Sequence, residues 1–244
     1  MTDVTSKTEQ TFAIPGKTAP DITYKAPTSP DNTAAILGKA PTIFVRPEEP
    51  ADFEAVLRLT YEAFLTLKYP GRKRTDEHFL IFLLRNSASR VRELCFVAEL
   101  GGQLAGHIVY TKSKVVRPDG SQLDTVTFGP LSVAPEFHKQ GVGKALVFNS
   151  LYACKELGVG AVVILGVPLY YPKLGFTKAQ EYGLTLADGS VNDAFLTYEL
   201  EPSFLQGGGA VHFLAPEYEQ AEADGPEFTA FHEQFLQKYY PHKN

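Results

Sequence analysis

With 244 residues, 44% of them hydrophobic and 21% charged, the chain has enough apolar content for one large or two small domains. Its formal net charge of −5 argues against nucleic acid or an anionic membrane as a main partner and mildly favours a cationic substrate such as an amine. Cys95 and Cys154 read as two isolated thiols, which fits a reducing, cytoplasmic compartment. The six histidines show no metal-ligand spacing, so no metal is expected.

Residues 1–41 carry Pro15, Pro20, Pro27, Pro30 and Pro41 among many Thr, Ser and Ala, with no periodic apolar face. They read as a flexible N-terminal extension, with an arm reaching a partner subunit of a homodimer as the sharper alternative. No signal-peptide core is expected there. Thr42–Arg46 reads as a strand ended by Pro47, and Phe53, Val56, Leu57, Thr60, Phe64 and Leu67 recur at helical spacing. After the basic loop from Tyr69 to Arg74, Asp76 and Glu77 suit the first turn of a second helix, with Phe79, Phe82 and Leu83 facing inward.

Glu93–Leu100 and Gln103–Val116 form a predicted hairpin around Gly101-Gly102, whose positive φ suits a two-residue turn. Pro118-Asp119-Gly120-Ser121 is a second turn, and Leu123–Val133 the next strand. His107, in mid-strand, reads as a packing histidine. A helix follows from about Val142 to Leu157, closed by Gly158, and then the apolar strand Ala161–Leu165. The uncharged run from Gly158 to Tyr171 is too short to span a membrane and is broken by Pro168. Phe176–Leu186 and Ala194–Leu200 are further strands. Beyond Pro202, Val211–Leu214 suggests a short strand, the acidic stretch from Ala215 to Glu227 an exposed segment, and Phe228, Phe231 and Phe235 a terminal helix that must dock to hide its rings. The division is thus an extension over 1–41, a main domain over 42–202, and a C-terminal extension over 203–244.

The chemistry concentrates between Phe128 and Phe176. Gly141 and Gly143 stand where a helix should begin, at a cost of about 1 kcal/mol each relative to alanine. Close approach of a phosphate to free backbone N–H groups would explain them. A Walker A loop is excluded, because Ala145 follows Gly143-Lys144 and His138 holds the earlier glycine position. A dinucleotide fingerprint fails at Leu146, where its third glycine belongs.

Val133-Ala134-Pro135 followed by His138-Lys139-Gln140-Gly141-Val142-Gly143 resembles motif A of the GNAT superfamily of N-acetyltransferases, with His138 in place of Arg or Gln. Tyr170-Tyr171-Pro172-Lys173-Leu174-Gly175-Phe176 is similar to the same family's aromatic turn. The resemblance runs over roughly Thr42 to Pro202, closest to the YhbS-like bacterial branch. It implies an α/β fold with a central, mostly antiparallel mixed sheet flanked by helices, and transfer of an acetyl group from acetyl-CoA to a primary amine without a metal. It also implies cofactor contacts from Leu131, Ser132, Val133, His138, Lys139, Gln140, Gly141, Val142, Gly143 and Lys144. In that scheme Val133 pairs with the pantetheine arm, backbone N–H groups of Gln140 to Lys144 hold the pyrophosphate, and the Leu131 N–H serves the oxyanion. Tyr171 protonates the leaving thiolate, while Tyr170 packs. Tyr61, Glu62, Tyr69 and His78 are candidates for the acceptor side, and Asp124, Glu136 and Glu62 for a base, with a water chain equally suited. A non-catalytic acyl-CoA sensor and an interaction protein on the same fold are the alternatives.

Overall fold

The computed structural model describes residues 22–25, 42–65, 75–223 and 225–241. Its centre is a mixed sheet. The strands are β1 (Ile22–Lys25), β2 (Thr42–Pro47), β3 (Phe96–Leu100), β4 (Gln103–Val116), β5 (Gln122–Val133), β6 (Ala161–Leu165), β7 (Thr177–Lys178), β8 (Leu184–Leu186), β9 (Phe195–Glu199) and β10 (Gly209–Phe213). They lie in the order β1-β2-β3-β4-β5-β6-β9-β7, and β10 joins the second half of β4 to β8. Every pairing is antiparallel except β5–β6 and β8–β10.

The helices are α1 (Phe53–Leu65), α2 (Glu77–Leu84), α3 (Val142–Glu156), α4 (Glu217–Glu222) and α5 (Pro226–Tyr239). On one face of the sheet α3 buries Val142, Leu146 and Leu151 against Val45, Phe96, Ile108, Tyr110 and Val162. On the other, α1, α2, α4 and α5 close over Val97 and Val109, with Val56, Leu80, Ala221 and Phe235 inside. A smaller cluster, including Val115, Val163, Phe195 and Val211, fills the far end. Alternation along β3 and β4 feeds both faces, as a sheet covered on two sides requires.

The hairpin turn falls on Gly101 (φ 62) and Gly102 (φ 77), as its composition predicts. Elsewhere local pattern and structure part. The third strand begins at Phe96, because Arg92–Leu94 form a 3-10 turn. The predicted strand over 176–186 breaks into β7, a 3-10 turn over Ala179–Tyr182, and β8. Phe82 is exposed, while Leu80, Ile81 and Leu84 are buried, because α2 is apolar nearly all round and periodicity cannot choose its face. Sequence analysis places no element before Thr42, yet Ile22–Lys25 adds an edge strand to β2. Such an edge needs only a few backbone partners, not a periodic apolar face. The segment after Pro202 contributes β10, α4 and α5 to the same sheet and core. Leu67 and the loop from Tyr69 to Arg74 lie outside the described residues.

Candidate active site

Strands β5 and β6 pair at Val126–Val162 alone among the described residues, and beyond that point they diverge. Strand β6 continues beside β9, with Ile164 opposite Leu196 and Leu165 opposite Phe195, while β5 continues beside β4. The divergence opens a notch on the edge of β5. Phase decides which backbone groups face it. The Ala134 N–H donates to Ala105 O on the β4 side at 2.9 Å, so alternation turns Ser132 to β4 and turns Leu131 and Val133 to the notch. Between Phe128 and Leu131 the ladder bulges: Gly129 and Pro130 stand opposite the single residue Val109.

The glycine loop lies at the end of β5. Lys139 (φ 62) and Gly141 (φ 89) both take the left-handed region, and Gly141 is the N-cap of α3. No side chain caps that terminus and its first turn carries no acid, so the N–H groups at the positive end of a 15-residue helix have no side-chain acceptor. Lys139 and Lys144 add positive charge. Gln140 is tied back by its amide to Glu136 O at 2.8 Å. His138 is exposed, with Nε2 3.0 Å from the carbonyl oxygen of Val133, the residue whose backbone is expected to pair with the pantetheine arm. A carbonyl has two lone pairs, so this contact leaves one free.

The two tyrosines occupy different depths of the notch. Tyr171 is 8% exposed, its ring 5.6 Å from Phe128 and 5.5 Å from Phe176. Gly166 makes room for it, since a Cβ there would stand 2.5 Å from the Tyr171 ring. Tyr170 is 36% exposed and meets the Tyr171 ring edge-on at 5.1 Å. Its hydroxyl lies 2.9 Å from where a Cβ on Gly143 would be, so Tyr170 packs against the glycine loop. Burial raises the Tyr170 pKa, which keeps the phenol protonated. Exposed Leu165, Val167 and Leu169 follow on the β6 side as an apolar wall.

The acceptor-side candidates are drawn together by α5. His78 is fully buried, with Nε2 3.0 Å from His232 Nδ1, and burial together with His232 lowers its pKa to about 3. Tyr61 packs on His78, Phe235 and Tyr240 at 5.0, 5.1 and 5.3 Å. Glu62 accepts the Tyr240 hydroxyl at 2.5 Å. Tyr69 is outside the described residues. Of the base candidates, Asp124 is exposed opposite Lys114, at the end of β5 before Val126, and roughly 23 Å of strand separates it from Leu131. Glu136 is exposed in the turn before the loop. His107 is buried with Nε2 3.2 Å from Glu48, as its reading as a packing histidine anticipates, and Glu48 also pairs with Arg90. Burial raises the Glu48 pKa, but His107 and Arg90 outweigh it and the net shift is downward. Among the described residues no group of three or more metal-ligating side chains is gathered, and no helix is long and apolar enough to cross a membrane.

A notch in a mixed sheet, closed by a glycine loop and an aromatic turn, has counterparts among known proteins. The model of the acetyltransferase (GNAT) family matches residues 54–176, which contain both features. The chain belongs to the GNAT acetyltransferase family. The uncharacterized N-acetyltransferase YhbS of Escherichia coli K12 is 27% identical over 168 residues, covering 68% of this chain and 92% of YhbS. The E. coli YhbS crystal structure in complex with CoA aligns at a TM-score of 0.60 with 26% identity, over 75% of this chain and 93% of that one. A GNAT acetyltransferase from Brucella melitensis, in complex with acetyl-CoA, has the same fold at a TM-score of 0.55 and 24% identity, over 70% of this chain and 95% of its own. The GNAT match ends at Phe176, so α4 and α5 lie beyond it. Sequence reasoning missed Tyr218 of α4, which touches β5, and Tyr240, which holds Glu62. Neither has a motif around it.

Proposed function

We propose that the chain binds acetyl-CoA in the notch between β5 and β6 and transfers its acetyl group to a primary amine by direct attack. The observation that carries this reading is the uncapped N-terminus of α3 facing a strand edge that has lost its neighbour. Backbone N–H groups from Gln140 to Lys144 hold the pyrophosphate, where a helix terminus favours anions. Val133 pairs with the pantetheine as a missing strand would, and His138 shares the Val133 carbonyl. The CoA bound to E. coli YhbS supports this choice of ligand.

The amine lone pair attacks the thioester carbon, and the Leu131 N–H stabilises the oxyanion, a contact of the kind worth about 10²- to 10³-fold in rate. As the C–S bond breaks, the thiolate takes the Tyr171 proton. A phenol of pKa ~10 is a reasonable acid toward a thiolate whose conjugate acid is near 8.5. The proton lost by the amine leaves through water. Two free, buried cysteines fit a reducing cytoplasm.

Calorimetry with acetyl-CoA, followed by thiol release across a library of amines, tests the reading. Binding in the micromolar range with amine-dependent thiol release is expected. No binding overturns it, and binding with no turnover on any amine leaves the acyl-CoA sensor.

A further inference from the structure

The Tyr218 hydroxyl donates to Gly129 O at 3.1 Å, and Thr111 Oγ1 is its second partner at 3.2 Å. Gly129 is one half of the β5 bulge, and Pro130, the other half, has no N–H to offer the ladder. The residue after them is Leu131. We infer that Tyr218 is a positioning residue, which pins the Gly129 carbonyl so that the bulge holds the Leu131 N–H toward the notch. The inference rests on the oxyanion role given to Leu131 above.

Three observations support it. The Tyr218 ring lies directly against Gly129, since a Cβ there would be in ordinary contact, 4.0 Å, with both Tyr218 Cε1 and its hydroxyl. Helix α4 and the residues leading into it are anchored independently, through buried Ala221 and Ala215 in the cluster shared with α2. Burial pushes the Tyr218 phenol up to about 12, so it stays a donor over any working pH. A tyrosine has one hydroxyl hydrogen. Given to Gly129, it leaves Thr111 to donate to the tyrosine oxygen. The two bonds at this hydroxyl are therefore not equivalent, and removing each one separates positioning from mere packing.

The test is the infrared carbonyl band of [1-13C]acetyl-CoA bound to the full chain, which needs no acceptor. An aligned Leu131 N–H polarises the thioester carbonyl and lowers its frequency. In Tyr218→Phe the band should move back toward that of unbound acetyl-CoA, with Kd within about threefold of the parent. Thr111→Val loses the other bond at the same hydroxyl and should keep the lowered band. Thermal melting of each variant reports that it is folded. If Tyr218→Phe keeps the lowered band, or Thr111→Val loses it equally, the positioning role is overturned while acetyl-CoA binding stands. If the parent binds with an unshifted band, the Leu131 role falls along with it. If the parent binds no acetyl-CoA, it is the proposed function that has failed.

Discussion

The two faces of the sheet are built on different plans. The α3 side of the notch is made from one continuous stretch, Phe128 to Phe176, and offers mainly backbone: the edge of β5, the loop at Gly141, and the first turn of α3. The opposite face is made of side chains from three distant segments, with Tyr61 from α1, His78 from α2, and His232 and Phe235 from α5. A backbone site tolerates changes of side chain at most positions and fails where a side chain intrudes. A side-chain cluster fails by loss of partners and by titration. Disturbing each face in turn makes that contrast measurable.

The largest effect should come from Gly143→Glu. Its side chain would enter the space beside the Tyr170 hydroxyl and Val133, and its charge would oppose the phosphate proposed to bind at the helix end. Calorimetry should show acetyl-CoA binding lost, with an unchanged far-ultraviolet spectrum. Retained micromolar binding would make the loop purely structural.

Tyr171→Phe should come next. The ring still packs between Phe128 and Phe176, so acetyl-CoA affinity should hold while kcat falls by roughly 10²- to 10⁴-fold. Tyr170→Phe is its counterpart. That hydroxyl borders Gly143, so its loss should alter cofactor affinity by a few-fold and leave kcat near the parent value. An exchange of these outcomes would move the acid by one residue.

On the other face, His78 is buried neutral with its pKa lowered to about 3. The unfolded chain takes up a proton near pH 6.5 and the folded chain does not, so this stability is complete above about 6.5 and is lost as pH falls toward 3. The slope is at most ~1.4 kcal/mol per pH unit for one group. Acid-unfolding curves of His78→Phe should be flatter in that window. A variant as steep as the parent would assign the acid sensitivity in that window elsewhere.

The smallest effect should follow truncation to a start at Thr42. It removes β1 from the edge of β2, with β3 and β4 standing between β2 and the notch. Acetyl-CoA affinity should be unchanged and the melting temperature only slightly lower. A loss of binding would tie residues 1–41 to the site.

The resemblance to the GNAT family implied the mixed α/β class, and the sequence by itself was sufficient for the GG hairpin, the α3 boundaries within a residue, and the apolar strand before the tyrosine turn. Each is a local property: turn chemistry at Gly101-Gly102, a glycine at the N-cap, or an apolar run at Ala161–Leu165. Only the tertiary structure decided which face of the nearly all-apolar α2 turns inward, that α5 closes over Tyr61 and His78, and that Tyr170 reaches Gly143 while Tyr218 reaches Gly129. Those contacts join residues far apart in the chain, 154 positions in the pair His78–His232 and 178 in the pair Glu62–Tyr240. Turn and helix signals act within a few residues along the chain, whereas a hydrogen bond between distant segments depends on how whole elements pack, and no local pattern records that.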